Sequence, residues 1–340
     1  MCEGDVVHLA EIPTPALIVK AAALRDNIAT MGSVLPGPRL RPHVKAHKCT
    51  ALAHEQAAAG HRGFTCATVG EMVGMAAAGL ADDLLLANEV VDPRQLDRLA
   101  GTVERYPNAR ITICVDSRET IAAAAAAGLR EVLVDVQVGM PRCGCAPDEA
   151  GALAEAARRA GLQVRGVMGY EGHIVGLEDP EQREVHCAGA MELLDRAYQD
   201  VGGEVISAGG TGTYDLNRLA TEIQAGSYVL MDTAYGKLGL PFGQALFVLS
   251  TVISSSPGWS VLDCGLKSLS VDHGNPDVPG ASVWFCSDEH TTFSPPLGVG
   301  ERVKVIPSHI DPTVACHDTM YLLDDNDGVV ETWPVDLRGR

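Results

Sequence analysis

Lys45 stands in the octet Arg41-Pro42-His43-Val44-Lys45-Ala46-His47-Lys48, flanked by residues that are or can become cationic. Like charges disfavour an ammonium and lower its pKa. A lysine tuned that way is a nucleophile that forms a Schiff base with an aldehyde. Taken alone, the octet also reads as a solvated basic loop. A second group is Gly209-Gly210-Thr211-Gly212-Thr213-Tyr214. Its glycines let backbone N–H groups turn inward, and the hydroxyls of Thr211 and Thr213 add donors, so the segment can bind a phosphate dianion. An ordinary Gly-rich turn has the same composition. A third is Pro307-Ser308-His309-Ile310-Asp311-Pro312-Thr313. Read as a strand, positions two apart share a face, so His309 and Asp311 present an imidazole and a carboxylate together. One nitrogen and one hard oxygen without a thiolate favour Mn²⁺, Mg²⁺ or Co²⁺ over a closed zinc site. A hydrogen-bonded structural pair fits the spacing equally. Asp288-Glu289-His290 reads either as outer support for that metal or as surface charge.

These groups need elements that bring them together. Short Val/Ile/Leu runs alternate with Ala-rich helical stretches, the pattern of βα units around a parallel sheet. Strands are predicted at Arg39–Lys45, Gly63–Ala67, Asp83–Ala87, Arg110–Val115, Glu131–Val138, Val164–Gly169, Glu204–Ala208 and Ile223–Leu230. Helices are predicted at Ala51–Ala59, Val69–Ala78, Ser117–Ala127, Pro147–Ala160 and Pro180–Gln199. That set matches an α/β fold of the (β/α)8 TIM-barrel type. After about Gly236 the texture becomes short strands between Gly, Pro and Asp turns: Ala245–Ser254, Trp259–Asp263, Ser282–Cys286, Arg302–Ile306 and Met320–Leu323, with no convincing helix. The expected organisation is a barrel over residues 20–236. Residues 1–19 and 237–340 form a mainly antiparallel C-terminal β domain that includes the strand Ala16–Lys20 and carries the metal pair.

The 340 residues are 46% hydrophobic, enough for a sizeable core. A net charge of -18 argues against nucleic acid and anionic membrane surfaces as partners. No apolar run is long enough and free enough of charge to span a membrane. Met1-Cys2-Glu3-Gly4-Asp5 has neither the basic nor the apolar region of a signal peptide, so a cytoplasmic location and reduced thiols are expected for the ten cysteines. Cys143-Gly144-Cys145 has no second pair at zinc spacing and is read as structural.

Barrel enzymes place their chemistry at the C-terminal ends of the strands. Lys45, Gly139-Met140-Pro141-Arg142-Cys143-Gly144, Gly169-Tyr170-Glu171-Gly172-His173 and Gly209–Thr213 fall at such ends, and Gly226-Ser227-Tyr228 lies where the eighth strand bulges or turns. A reactive lysine and a phosphate cradle in one barrel mouth point to pyridoxal 5'-phosphate, which needs an imine partner and a grip on its phosphate. Arg142 is placed to meet the cofactor's phenolate oxygen or to form a surface salt bridge. Tyr170 is placed to lie against the ring or simply to pack.

These motifs, together with the late P-S-H-I-D-P-T, resemble the D-threonine aldolase / D-serine dehydratase family of fold-type III pyridoxal-phosphate enzymes, similar to alanine racemase. The resemblance runs in order from about residue 13 to about residue 320. It implies that Lys45 is the Schiff-base lysine and that His309 and Asp311 bind the metal. It implies that Gly210, Thr211, Gly212 and Thr213, with Gly226, Ser227 and Tyr228, hold the phosphate, and that His173 is a candidate base near the substrate hydroxyl. The dehydratase branch tends to have His-x-Cys with zinc, and Asp311 looks like the aldolase branch, for which Mn²⁺ is the expected ion. Gln137 departs from the Asp often found before the Gly-x-x-Arg turn. The implied activity is retro-aldol cleavage of a small-molecule D-β-hydroxy-α-amino acid, such as D-threonine to glycine and acetaldehyde, by a homodimer. A D-serine or 3-hydroxy-D-aspartate dehydratase and a 3-hydroxy-D-aspartate aldolase are the alternatives.

Overall fold

The computed structural model describes residues 8–339. Cys2 and the rest of the Met1–Asp5 stretch lie outside the described residues. The strands, in chain order, are β1 (Ala16–Lys20), β2 (Gly63–Cys66), β3 (Asp83–Leu86), β4 (Ile111–Val115), β5 (Glu131–Asp135), β6 (Gln163–Gly169), β7 (Val205–Ala208) and β8 (Glu222–Ile223). They continue with β9 (Leu246–Ser256), β10 (Trp259–Leu262), β11 (Ser282–Cys286), β12 (Thr291–Ser294), β13 (Arg302–Val305), β14 (Thr319–Leu323) and β15 (Val329–Pro334). The chain forms two compact units. One comprises residues up to Thr30, Ala46–Leu52 and Ser227–Asp336; the other comprises Met31–Lys45, Ala53–Gly226 and the chain from Leu337.

In the second of these units β2 to β8 form a parallel sheet in sequence order. The expected first strand, Arg39–Lys45, is not a regular strand. Leu40 bridges Ile223 and His43 bridges Thr65, both in parallel, so residues 40–43 close the ring between β8 and β2. Pro42 has no N–H to give a continuous ladder, and its carbonyl accepts from Thr65 at 2.9 Å. Lys45 follows in a 3-10 turn, Val44–Ala46. The predicted eighth strand is cut to two residues, and Ser227–Val229 is another 3-10 turn. The outer helices begin as their sequences dictate. Thr68 and Ser117 each form a reciprocal capping box. Asp92-Pro93 and Asp179-Pro180 pair an Asp cap with Pro at the first helical position. Behind them Phe64, Met72, Leu84, Leu86, Leu99 and Ile113 are almost wholly buried in one core.

The other unit is built on a sheet in the order β11-β12-β10-β9-β1-β14-β15, with β13 on β9. All its pairings are antiparallel except β1 with β14. Its core includes Ile18, Leu249 and Leu323. The expectation that no helix follows residue 236 is corrected by Ile310–Ala315, a helix whose N-cap is His309. No helix among the described residues is long and apolar enough to cross a membrane, and no disulfide joins the nine described cysteines.

Candidate active site

The barrel's strand ends gather three of the residues singled out above. The Lys45 Nζ lies 5.8 Å from the centroid of the Tyr170 ring, and the Arg142 guanidinium carbon lies 5.2 Å from it. Two cations therefore share one aromatic ring, within the range of cation–π attraction. Gly172 makes room for that ring: a Cβ there would sit 2.4 Å from a Tyr170 ring carbon. Arg142 also belongs to a small cavity lined by Asp135, Val138, Met140, Cys143 and Tyr170. Burial pushes Asp135 well above the usual carboxylate range, and neighbouring Glu89 pushes it further, while Arg142 acts the other way. His173 is exposed, and its Nε2 would lie 2.8 Å from any Cβ at Gly139, whose φ is +121°. Glycine at 139 is what admits the imidazole.

Arg41 was counted above among the like charges around Lys45. The structure corrects this. Arg41 is 4% exposed, and its Nε meets Glu222 at 2.7 Å while its Nη2 meets Asp83 at 3.0 Å. Burial alone would weaken the Arg41 charge; Glu222 and Asp83 more than reverse this and raise its pKa. Those carboxylates begin β8 and β3, so the guanidinium serves the opposite end of the barrel from the strand ends.

The Gly-rich loop after β7 is buried, with Thr211 at 1% and Thr213 at 0% exposure. A Cβ at Gly210 would lie 3.1 Å from Val175 and 3.6 Å from the Tyr170 ring, and one at Gly212 would run into the Val175 carbonyl at 1.8 Å. Glycine at 210 and 212 thus lets the loop backbone pack against Val175 beside Tyr170, and a Gly-rich backbone of this kind fits a phosphate. The Thr213 hydroxyl, expected to face that phosphate, is committed elsewhere. It donates to Glu171 Oε1 at 2.8 Å and accepts from the Gly210 N–H at 3.1 Å. Gly226 ends the stretch assigned to the barrel unit, and Ser227 and Tyr228 open the next. Tyr228 is wholly buried, with its ring 5.5 Å from that of Phe242.

In the other unit His309 and Asp311 do come together, by a route the strand reading missed. His309 caps the helix and Asp311 lies in its first turn, leaving Nε2 and Oδ1 3.9 Å apart. Asp232 fixes this turn: its Oδ2 accepts the Ile310 N–H at 3.0 Å and its Oδ1 accepts that of Tyr235 at 2.9 Å. Asp272 accepts at 2.7 Å from His309 Nδ1. Burial would raise the Asp272 pKa, but its bonds to Ser270 and His309 outweigh that and hold it low. A carboxylate on one ring nitrogen directs the lone pair of the other outward. Nε2 and the Asp311 carboxylate then form the nitrogen-plus-hard-oxygen set that suits a divalent ion. Asp272, His273 and His309 also cluster closely enough to hold a cation. However, the two imidazoles stack at 4.2 Å with 7° between planes, so their in-plane lone pairs run side by side and do not converge on one ion. Asp288 and Glu289 face Lys267 at 3.8 and 3.2 Å instead. Sequence reasoning missed Asp272 and Glu171 as partners, because each acts on residues distant in the chain.

A lysine at the mouth of a parallel barrel, with a sheet-rich second unit, defines the alanine racemase type of fold. Residues 19–234 match the family described as "Alanine racemase, N-terminal domain", and residues 245–323 match "Putative serine dehydratase domain". The chain is 35% identical to a D-threonine aldolase of Arthrobacter sp, over 97% of this chain and 94% of the relative. It is 34% identical to a 3-hydroxy-D-aspartate aldolase of Paracoccus denitrificans (strain Pd 1222), over 97% and 93%. The crystal structure of D-threonine aldolase from Filomicrobium marinum superposes with a TM-score of 0.92 at 36% identity, covering 98% of this chain and 97% of that one. The chain belongs to the D-threonine aldolase / D-serine dehydratase family and is a fold-type III lyase, a fold family that implies pyridoxal phosphate.

Proposed function

We propose that the protein cleaves D-β-hydroxy-α-amino acids by a retro-aldol reaction, D-threonine giving glycine and acetaldehyde, with pyridoxal phosphate and a divalent ion, Mn²⁺ foremost. The observation that carries the reading is the pairing of Lys45 and Arg142 on the Tyr170 ring beside the Gly-rich loop. When bound, the cofactor supplies the electron sink that lets the Cα–Cβ bond break, and the ion supplies Lewis acidity at the substrate hydroxyl.

This chain's residues do the rest. Lys45 is the amine that holds the cofactor's aldehyde carbon. Arg142 would donate to the cofactor's phenolate oxygen, and Tyr170 would lie along its ring. In the Gly210–Gly212 turn, Thr211 and Gly212 would grip the phosphate, with Gly226, Ser227 and Tyr228 as further candidates; Gly210 and Thr213 brace the loop. His173 takes the hydroxyl proton on an imidazole nitrogen. His309 and Asp311 hold the ion, and the carboxylate at 311 in place of a thiolate supports the aldolase reading over the dehydratase one. The protein acts as a homodimer in the cytoplasm.

Product analysis after adding D-threonine, pyridoxal phosphate and Mn²⁺ to metal-stripped protein tests this. Acetaldehyde and glycine are expected. 2-Oxobutanoate and ammonia would make the protein a dehydratase. Turnover of 3-hydroxy-D-aspartate to glyoxylate and glycine, with D-threonine untouched, would move the substrate to the dicarboxylic class.

A further inference from the structure

Glu171 is 0% exposed, and its carboxyl group is engaged by one segment of chain. Gly209 N–H donates to Oε2 at 3.1 Å. The Thr213 hydroxyl donates to Oε1 at 2.8 Å, and Asn217 Nδ2 reaches the same oxygen at 3.5 Å. The contacts propagate outward. The Gly210 N–H donates to the Thr213 hydroxyl, the Thr213 N–H returns to the Gly210 carbonyl at 3.2 Å, and Asn217 Oδ1 accepts from Ala220 at 3.1 Å. The N–H groups of Gly209, Gly210 and Thr213 are thereby committed inside the loop, and Gly212 packs against the Val175 carbonyl.

Glu171 directly follows Tyr170, whose ring meets Lys45 and Arg142. One dipeptide just after β6 therefore reaches toward the lysine with its first residue and to the Gly-rich loop with its second. An apolar side chain would fill a buried space at lower desolvation cost. It would not fix the direction of three donors.

We propose that Glu171 is a positioning residue that sets the phosphate loop at a fixed distance from Lys45, so that a cofactor anchored at both ends fits without strain. The inference rests on the reading of Gly210–Gly212 as the phosphate site. Replacing Glu171 by Gln puts an NH₂ against either the Gly209 N–H or the Thr213 hydroxyl, and one buried donor loses its acceptor.

The test separates the phosphate from the ring. Cofactor-stripped full-length protein is titrated with pyridoxal 5'-phosphate and, separately, with pyridoxal, following the absorbance of bound ligand. The wild type should prefer the phosphorylated compound. Glu171→Gln should weaken pyridoxal phosphate by about tenfold or more, the consequence of one unsatisfied buried donor, and leave pyridoxal within about twofold. Thr213→Val, which removes the hydroxyl in the same linkage, should show the same pattern and decides the matter if Glu171→Gln does not fold. Equal weakening of both ligands, or of neither, would overturn the role of Glu171. A wild type that does not distinguish the two ligands would overturn the phosphate site itself, and the inference with it.

Discussion

At the end of the barrel where its strands begin, Arg165 reaches Asp83 at 2.9 Å, Glu204 at 3.2 Å and the Thr112 hydroxyl at 2.7 Å. Arg110 spans Glu131 and Glu204 at 2.7 and 2.9 Å, and Arg41 spans Asp83 and Glu222. At the end where the strands finish, Lys45 and Arg142 sit instead against the π-face of Tyr170. The first end matches each guanidinium to carboxylates, which fixes geometry and neutralises charge. The second sets two cations over one ring, an attraction that claims no particular donor direction. One end is built to stay; the other is where the proposed function places its ligand. In this fold class the strand-start end serves stability and the strand-finish end chemistry.

Substitutions at the two ends should separate these roles. The largest effect is expected from Lys45→Ala, which should abolish activity and the absorbance of lysine-bound cofactor while moving Tm by no more than about 2 °C. A retained absorbance would remove Lys45 from the reaction. At the other end, Arg165→Met leaves Asp83 with Arg41 as its guanidinium partner and should cost about 2 kcal/mol, lowering Tm by roughly 4–8 °C in a thermal melt. Its affinity for pyridoxal phosphate should stay at the wild-type value; a parallel loss of affinity would show that the two ends are not separable. In the unit that carries His309, Asp272→Ala should weaken Mn²⁺ roughly 10- to 100-fold in a binding titration, by freeing the Nδ1 side of the ring. Unchanged affinity would assign that carboxylate to surface charge. The smallest effect concerns acid. Burial would raise the Asp83 pKa, but Arg165 and Arg41 outweigh it and hold it below its ordinary 3.8. Its contribution is thus complete above that ordinary value and is lost as pH falls through the lowered one. The Tm gap between wild type and Asp83→Asn should be constant near neutrality and should narrow below about pH 4.

Much of the barrel was legible from local pattern. Apolar runs such as Val132–Val134 and helix starts such as Ser117 and Asp179 carry their own instructions. Asp92-Pro93 carried one too, a cap followed by a proline, yet the polar stretch Pro93–Arg105 hid its helix because its buried face is only Leu96, Leu99 and Thr102. The short strand β12 and the late β15 were missed, since pairing with distant strands and not local composition makes them strands. At the site, residue types survived and some roles did not. His309 and Asp311 were read correctly as neighbours on a mistaken strand premise, because a cap and a first-turn residue can also converge. Arg41 was misread as a companion of Lys45, since its partners Asp83 and Glu222 are 42 and 181 positions away. Glu171 lay inside a quoted motif, but what it holds is on the next strand's loop.

The closure of the barrel at residues 40–43 has a mechanical consequence. Every other seam is a ladder between named strands, whereas this stave is held by Arg41 N–H to the Ile223 carbonyl, His43 N–H to the Ala225 carbonyl and the Thr65 N–H to the Pro42 carbonyl. Local opening follows the density of such bonds. In deuterated solvent the amides of Arg41 and His43 should therefore exchange sooner than those of β5 and β6. The stave that leads into Lys45 thus relies on few backbone bonds, with the Arg41 side chain pinning its start to Asp83 and Glu222.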